Sequence, residues 1–207
     1  MAQSISTTLA SEPVSSTPGE VPTARHPNVG QAIGPAELFA PKRGHVRAVV
    51  ISDLNSRYGS VDYRQEVMQG VSILPQWEPD IVLCMGDMVA GQSKALTTLE
   101  VEAMWDGFDT LVLQSIRDAG IPFALTIGNH DASNQTDGNG RYVYTIDRQV
   151  TSRYWQAHQN ELDLQYVDAG EFPYYYSFKQ NDIFYMVWDA SSANVPAGQV
   201  AWADQQL

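Results

Sequence analysis

Three short apolar runs, each closing on side chains that can hold a metal, constrain this chain most. Residues 46–51 (Val-Arg-Ala-Val-Val-Ile) lead through Ser52 into Asp53-Leu54-Asn55, and residues 81–85 (Ile-Val-Leu-Cys-Met) lead into Gly86-Asp87. The third run, residues 122–127, leads into Gly128-Asn129-His130-Asp131. Runs of this length read as strands, and the nearly continuous first one reads as a strand buried on both faces. Between the first two, Val67, Val71 and Leu74 recur at helical spacing until Pro75, where the pattern is expected to stop. Between the second and third, Thr97 and Glu100 form a capping box. The stripe that follows, Val101, Met104, Trp105, Phe108, Leu111, Val112 and Ser115, marks one helix face that runs out at Ala119-Gly120. Strands alternating with helices through Thr126 predict a parallel sheet, and ligands collect at the carboxyl ends of such strands. The three polar ends therefore predict one shared site.

The rest of the chain changes character. Residues 137–140 (Asp-Gly-Asn-Gly) are turn chemistry, and Ile146, Val150, Tyr154 and Ala157 mark a further helix with His158 exposed near its end. Tyr174-Tyr175-Tyr176-Ser177-Phe178, a turn at Gln180-Asn181 and the run 183–188 predict a β-hairpin closed by Asp189. A last helix opens at Ala197, and the sequence stops within it at Leu207. The expected architecture is an α/β sandwich with one parallel sheet and a second, partly antiparallel sheet that is incomplete in this chain. Residues 1–43, rich in Ser, Thr, Pro, Ala and Gly without apolar periodicity, are expected to be a flexible tail that leaves His26 without a role. The folded domain is expected over residues 44–207.

Composition removes several function classes. A formal charge of -12 disfavours nucleic acid and anionic membrane as partners. No run approaches the roughly 18 apolar residues of a membrane span, and no secretory signal is visible, so the expectation is a soluble chain, cytoplasmic by default. Cys84, the single cysteine, reads as a small core hydrophobe. No G-x-S-x-G elbow is present for a serine hydrolase, and Ser52-Asp53-Leu54-Asn55-Ser56 is not the Gly-rich loop of a nucleotide binder.

The remaining chemistry is that of the polar strand ends. Asp53, Asp87, Asn129 and His130 offer carboxylate, amide oxygen and imidazole, a donor set suited to hard and borderline divalent cations. A carboxylate shared by two such ions can bridge them, and a water held between them becomes a nucleophile near neutral pH. Asp53-Leu54-Asn55, Gly86-Asp87 and Gly128-Asn129-His130-Asp131 resemble, in order and spacing, the D-x-H, G-D and G-N-H-[D/E] blocks of the calcineurin-like metallophosphoesterases. The resemblance covers about residues 46–207.

That resemblance implies a four-layer αββα sandwich with a dinuclear site, two divalent ions (Mn, Fe, Zn or Mg), and hydrolysis of a small-molecule or nucleotide phosphoester. It implies that Asp53 binds the first metal, Asp87 bridges both and Asn129 binds the second. His130 would sit beside the phosphate as a catalytic residue, and Asp131 would orient a neighbouring imidazole. Arg57 and Tyr58, in the loop after the first block, are candidates for touching substrate. Two departures stand out. Asn55 occupies the family's histidine position, and either ligates the metal or only hydrogen-bonds its own loop. The family's later histidine and its G-H-x-H block are absent after Asp189. The expectation is an N-terminal part of a longer phosphoesterase that binds metal weakly, turns over little or not at all, and associates through its uncovered second sheet. The alternative is a phosphoesterase-like module that binds phosphate or a partner without hydrolysis.

Overall fold

The computed structural model describes residues 33–35 and 37–207. Its first half is a parallel sheet in the order β1-β2-β3, formed by Ala48–Ile51, Ile81–Cys84 and Phe123–Leu125. Two crossovers connect these strands. The first is α1 (Gln65–Trp77); the second is α2 (Thr98–Phe108), which runs on through a π-helical turn (Asp109–Leu113) into α3 (Gln114–Asp118). The short α4 (Asn129–Ala132) and α5 (Thr145–His158) follow, then an antiparallel sheet in the order β4-β5-β6 and α6 (Ala197–Gln206). The strands of this second sheet are Gln165–Glu171, Tyr175–Gln180 and Ile183–Val187.

Local chemistry explains most boundaries. The capping box is present in both directions, with Glu100 N–H donating to the Thr97 hydroxyl and the Glu100 carboxylate accepting from Thr97 N–H. The Thr97 N–H and the Thr97 hydroxyl both donate to the Glu100 carboxylate and hold it below its ordinary range. The π-helical turn then inserts one residue into the helical register. Beyond Phe108 the buried positions are Val112, Leu113 and Ile116, one step later than the expected Leu111, Val112 and Ser115. Pro75 does not stop α1; the helix passes through it and ends two residues later, where Glu78 takes a left-handed conformation (φ 47°). Proline removes one helical hydrogen bond there, and only two residues of α1 follow it.

Three other expectations need correction. β1 is not buried on both faces: it is an edge strand, and Ala48 and Val50 are exposed while Val49 and Ile51 are partly buried. β4 was not legible, because Gln165, Asp168, Gly170 and Glu171 give it little apolar alternation and its pairing with β5 shifts register twice. The hairpin turn lies at Asn181-Asp182 rather than Gln180-Asn181, with both residues at positive φ (51° and 62°), which is the two-residue hairpin geometry. The expected tail boundary also moves. Residues 1–32, including His26, lie outside the described residues, but Ala40 and Arg43 are buried, and the Arg43 guanidinium pairs with Asp80 at 2.5 Å. Packing therefore begins before residue 44.

One core serves both sheets. Trp105, Phe108, Tyr154, Trp155 and Phe123 pack ring against ring between the helices and β3, and Phe172, Tyr176 and Phe178 continue the core into the second sheet. The join falls on β3. One edge of β3 pairs with β2, which leaves the Phe123 and Leu125 backbone groups on the other edge without a strand. Phe123 N–H donates to the Leu162 carbonyl at 3.0 Å. The Tyr176 hydroxyl accepts from Leu125 N–H at 3.1 Å and donates to the Leu125 carbonyl at 2.7 Å. One buried phenol from β5 thus closes the open edge of the first sheet. Tyr176→Phe keeps the ring and leaves both Leu125 groups unsatisfied in the core. We expect it to lower stability by about 2 kcal/mol or more, read from the urea denaturation midpoint.

Candidate metal centre

The strands end, but their backbone pairing continues into the loops that carry the polar residues. Met85 N–H donates to the Ile51 carbonyl (2.8 Å), Asp53 N–H to Gly86 (3.2 Å) and Asn55 N–H to Asp87 (3.1 Å). On the other side of β2, Thr126 N–H donates to the Cys84 carbonyl at 2.8 Å. The three blocks are therefore laced together by main-chain bonds rather than left as free loops. Asp53 and Asp87 both adopt positive φ (53° each), a conformation uncommon outside glycine and concentrated at functional sites.

Two glycines make the close approach possible. A β-carbon on Gly86, itself at φ 92°, would meet the Gly128 backbone at 2.7 Å. A β-carbon on Gly128 would lie 2.1 Å from Asp87 Oδ1 and 2.3 Å from Asp87 N. With only hydrogens there, the second and third blocks touch, and His130 N–H donates to Asp87 Oδ1 at 2.9 Å.

Asp53, Asp87 and Asn129 line one cleft of about 400 Å³, whose far wall is Met186, Trp188 and Ala190 from the end of the second sheet. Neither carboxylate is ion-paired among the described residues. Asn129 Nδ2 donates to Gln92 Oε1 at 2.9 Å, which leaves its amide oxygen free to ligate. Two uncompensated carboxylates and an oriented amide oxygen suit a divalent cation. The set is thin, however: no group of three or more His, Cys, Asp or Glu that could hold a metal occurs among the described residues. Asn55 does not line the cleft, and its backbone N–H serves the loop pairing.

His130 stands to one side of the cleft, with its ring centroid 5.3 Å from that of the exposed Tyr58. Its Nδ1 lies 3.3 Å from the Gly91 carbonyl. A carbonyl can only accept, so in this contact Nδ1 is the donor and Nε2 is left outside it. Arg57 lines a different cleft, with Ser56, Ser60 and Arg64, so the structure brings Tyr58 but not Arg57 to the site.

Asp131 does not stand beside an imidazole as the resemblance implies. It is fully buried, Oδ1 accepts from Val89 N–H (2.9 Å) and Oδ2 from Gly128 N–H (2.8 Å), and its carboxylate orients no imidazole. Burial, the largest influence, pushes its carboxyl up to about 7 against the pull of those amides. Asp131 is a positioning residue that clamps the second block to the third. Cys84 is also fully buried, and burial raises its thiol far above the ordinary range, in keeping with a core role. His158 is partly buried at the end of α5, against Tyr154 and Glu161, away from the site.

Sequence reasoning missed Gln92 and the residues that hold it. Gln92 N–H donates to Asp147 Oδ2 at 2.8 Å, so a buried carboxylate on α5 fixes the loop that orients Asn129. Burial raises the Asp147 carboxyl above its ordinary value. The i to i+55 contact leaves no local pattern, although a lone aspartate next to an arginine on the inner face of a helix was a usable hint.

The steric argument gives a clean contrast. Gly128→Ala is expected to cost about 3 kcal/mol or more, whereas Gly138→Ala, with no neighbouring atom within 4 Å, is expected to change stability by less than about 0.5 kcal/mol. Thermal melts of the two variants check this.

No curated protein matches this chain, and no solved structure does. A protein-family model does match, over residues 46–204, and its description is calcineurin-like phosphoesterase.

Proposed function

The chain belongs to the calcineurin-like phosphoesterase family, and we propose that it is a metal-dependent hydrolase of small-molecule phosphoesters working at the cleft between Asp53, Asp87 and Asn129. The observation that carries the reading is the convergence, from the ends of three adjacent strands, of one oriented amide oxygen and two carboxylates with no ion pair among the described residues. Asp53 would hold one divalent ion, Asp87 would reach two, and Asn129 would hold the second. Bound there, such ions supply an acidified water as nucleophile and neutralise charge on the phosphoryl oxygens. The chain's own groups do the rest. Asp87 keeps His130 in place through the His130 N–H, and the proton on Nδ1 leaves Nε2 to hydrogen-bond the phosphoryl group or, when protonated, to donate to the leaving oxygen. Tyr58 shields that ring from one side.

The donor set also sets a limit. With Asn55 off the cleft and no histidine beyond residue 158 in these 207 residues, the expected affinity for metal is weak. The same observation favours the second reading, a module that holds phosphate without turnover.

Added Mn²⁺ at millimolar concentration is expected to raise the melting temperature, and Asp87→Asn to abolish that shift. With Mn²⁺ present, hydrolysis of p-nitrophenyl phosphate or its bis-ester is expected to fall at least about 100-fold in Asp87→Asn. Metal-independent binding of inorganic phosphate with no hydrolysis of either ester would select the binding module instead.

A further inference from the structure

A second, much roomier cavity of about 1190 Å³ opens beside the metal cleft, and Asn129 lines both. Its walls come from the segment after α4 (Asn134, Gln135), from α5 (Gln149, Ser152) and from the loop after β6 (Ser192, Asn194). These are neutral side chains that can both donate and accept hydrogen bonds.

The charged groups in the wall narrow the choice. Arg148, the single cation lining the cavity among the described residues, is committed: its guanidinium pairs with Asp189 at 3.0 Å and donates to the Ala132 carbonyl at 2.9 Å. It also lies 4.3 Å and 3.8 Å from the Tyr142 and Tyr174 ring centroids. Its side chain is 9% exposed. Asp189 is held in turn by Ser191 and, through its backbone, by Gln199. The remaining charge is the exposed carboxylate of Glu171. A second phosphate or a polyphosphate would find no free cation here and one repelling anion. A flat base would find Tyr174 engaged by Arg148 and Tyr175 by Trp202 at 5.1 Å, and Tyr142, though 45% exposed, met by Arg148 on one face. An alkyl chain would strip water from half a dozen amides and hydroxyls and return no hydrogen bonds, a large penalty. What fits is a ligand whose every polar group is both donor and acceptor, that is, an uncharged molecule dense in hydroxyls.

We propose that this cavity binds the leaving alcohol of the phosphoester, and that this alcohol is a sugar or polyol. The proposal rests on the hydrolase reading of the adjoining cleft, with the phosphoryl group at Asn129 and the alcohol extending along α5. Gln149 is the specificity-determining residue best placed for a test, because it is exposed on α5 and belongs to no part of the metal cleft.

Saturation-transfer NMR with glucose on the metal-free chain is expected to give transfer to the sugar ring protons. Gln149→Trp, which fills the cavity from an exposed helix position, is expected to abolish it while the thermal melt stays unchanged. In the presence of Mn²⁺, kcat/KM for glucose 1-phosphate is expected to exceed that for AMP. Gln149→Trp is expected to lower the former at least about tenfold and to leave p-nitrophenyl phosphate hydrolysis within about twofold. Hydrolysis of p-nitrophenyl phosphate with no glucose transfer, or with transfer insensitive to Gln149→Trp, overturns the cavity assignment and leaves the hydrolase reading intact. A preference for AMP over glucose 1-phosphate also overturns it. Glucose transfer that Gln149→Trp abolishes, with no phosphoester hydrolysed, retains the cavity as a polyol site and removes the hydrolase reading instead.

Discussion

The contact between the Gly86 and Gly128 backbones is the constraint on which the site depends. Each glycine sits where a β-carbon would overlap main-chain atoms of the other block, so the second and third strand ends approach to a distance that no other residue type permits. Everything at the site follows from that approach. Asp87 receives the His130 N–H, Asp131 reaches back to the Val89 and Gly128 amides, and Asn129 comes within reach of Gln92. Asp131 shows how such a junction is secured. A carboxylate buried at a cost in solvation binds two amides that would otherwise be unpaired in the interior, and the exchange fixes two loops at once.

A second dependency links the two sheets. β3 is three residues long and has a free edge, which in isolation would present unpaired backbone groups. The Tyr176 hydroxyl and the Leu162 carbonyl satisfy that edge from outside the sheet. The antiparallel sheet is thereby tied to the strand that feeds the candidate site, and Met186 and Trp188 complete the wall of the cleft. The Arg148–Asp189 pair repeats the logic at the neighbouring cavity, where the end of β6, the start of α6 and α5 meet on one buried ion pair.

Particular residues mark how far the sequence could be read. The three blocks, the capping box at Thr97 and the parallel order of the first three strands were legible because each is a local signal: a short apolar run, a fixed spacing, a turn residue. The register of the long second crossover was not, since a π-helical turn costs one residue and leaves no mark in the composition of Asp109–Leu113. β4 stayed hidden because an edge strand needs only one of its faces covered and tolerates polar residues and glycine. The resemblance implies a place beside an imidazole for Asp131, yet the geometry gives both its oxygens to backbone amides.

The sequence alone determined the family, the parallel sheet and the placing of Asp53, Asp87, Asn129 and His130 at the strand ends, because strand periodicity and the residues at strand ends are set within a few positions of one another. Only the tertiary structure decided which of the candidates face one cleft, that Asn55 and Arg57 do not, and that both Asp131 oxygens go to backbone amides. It alone also revealed Gln92 and Asp147 as supports for Asn129, and the polar cavity beside it. Those outcomes depend on contacts between residues some 40 to 60 positions apart in the chain, and their partners are fixed by packing and by the need to satisfy buried polar groups.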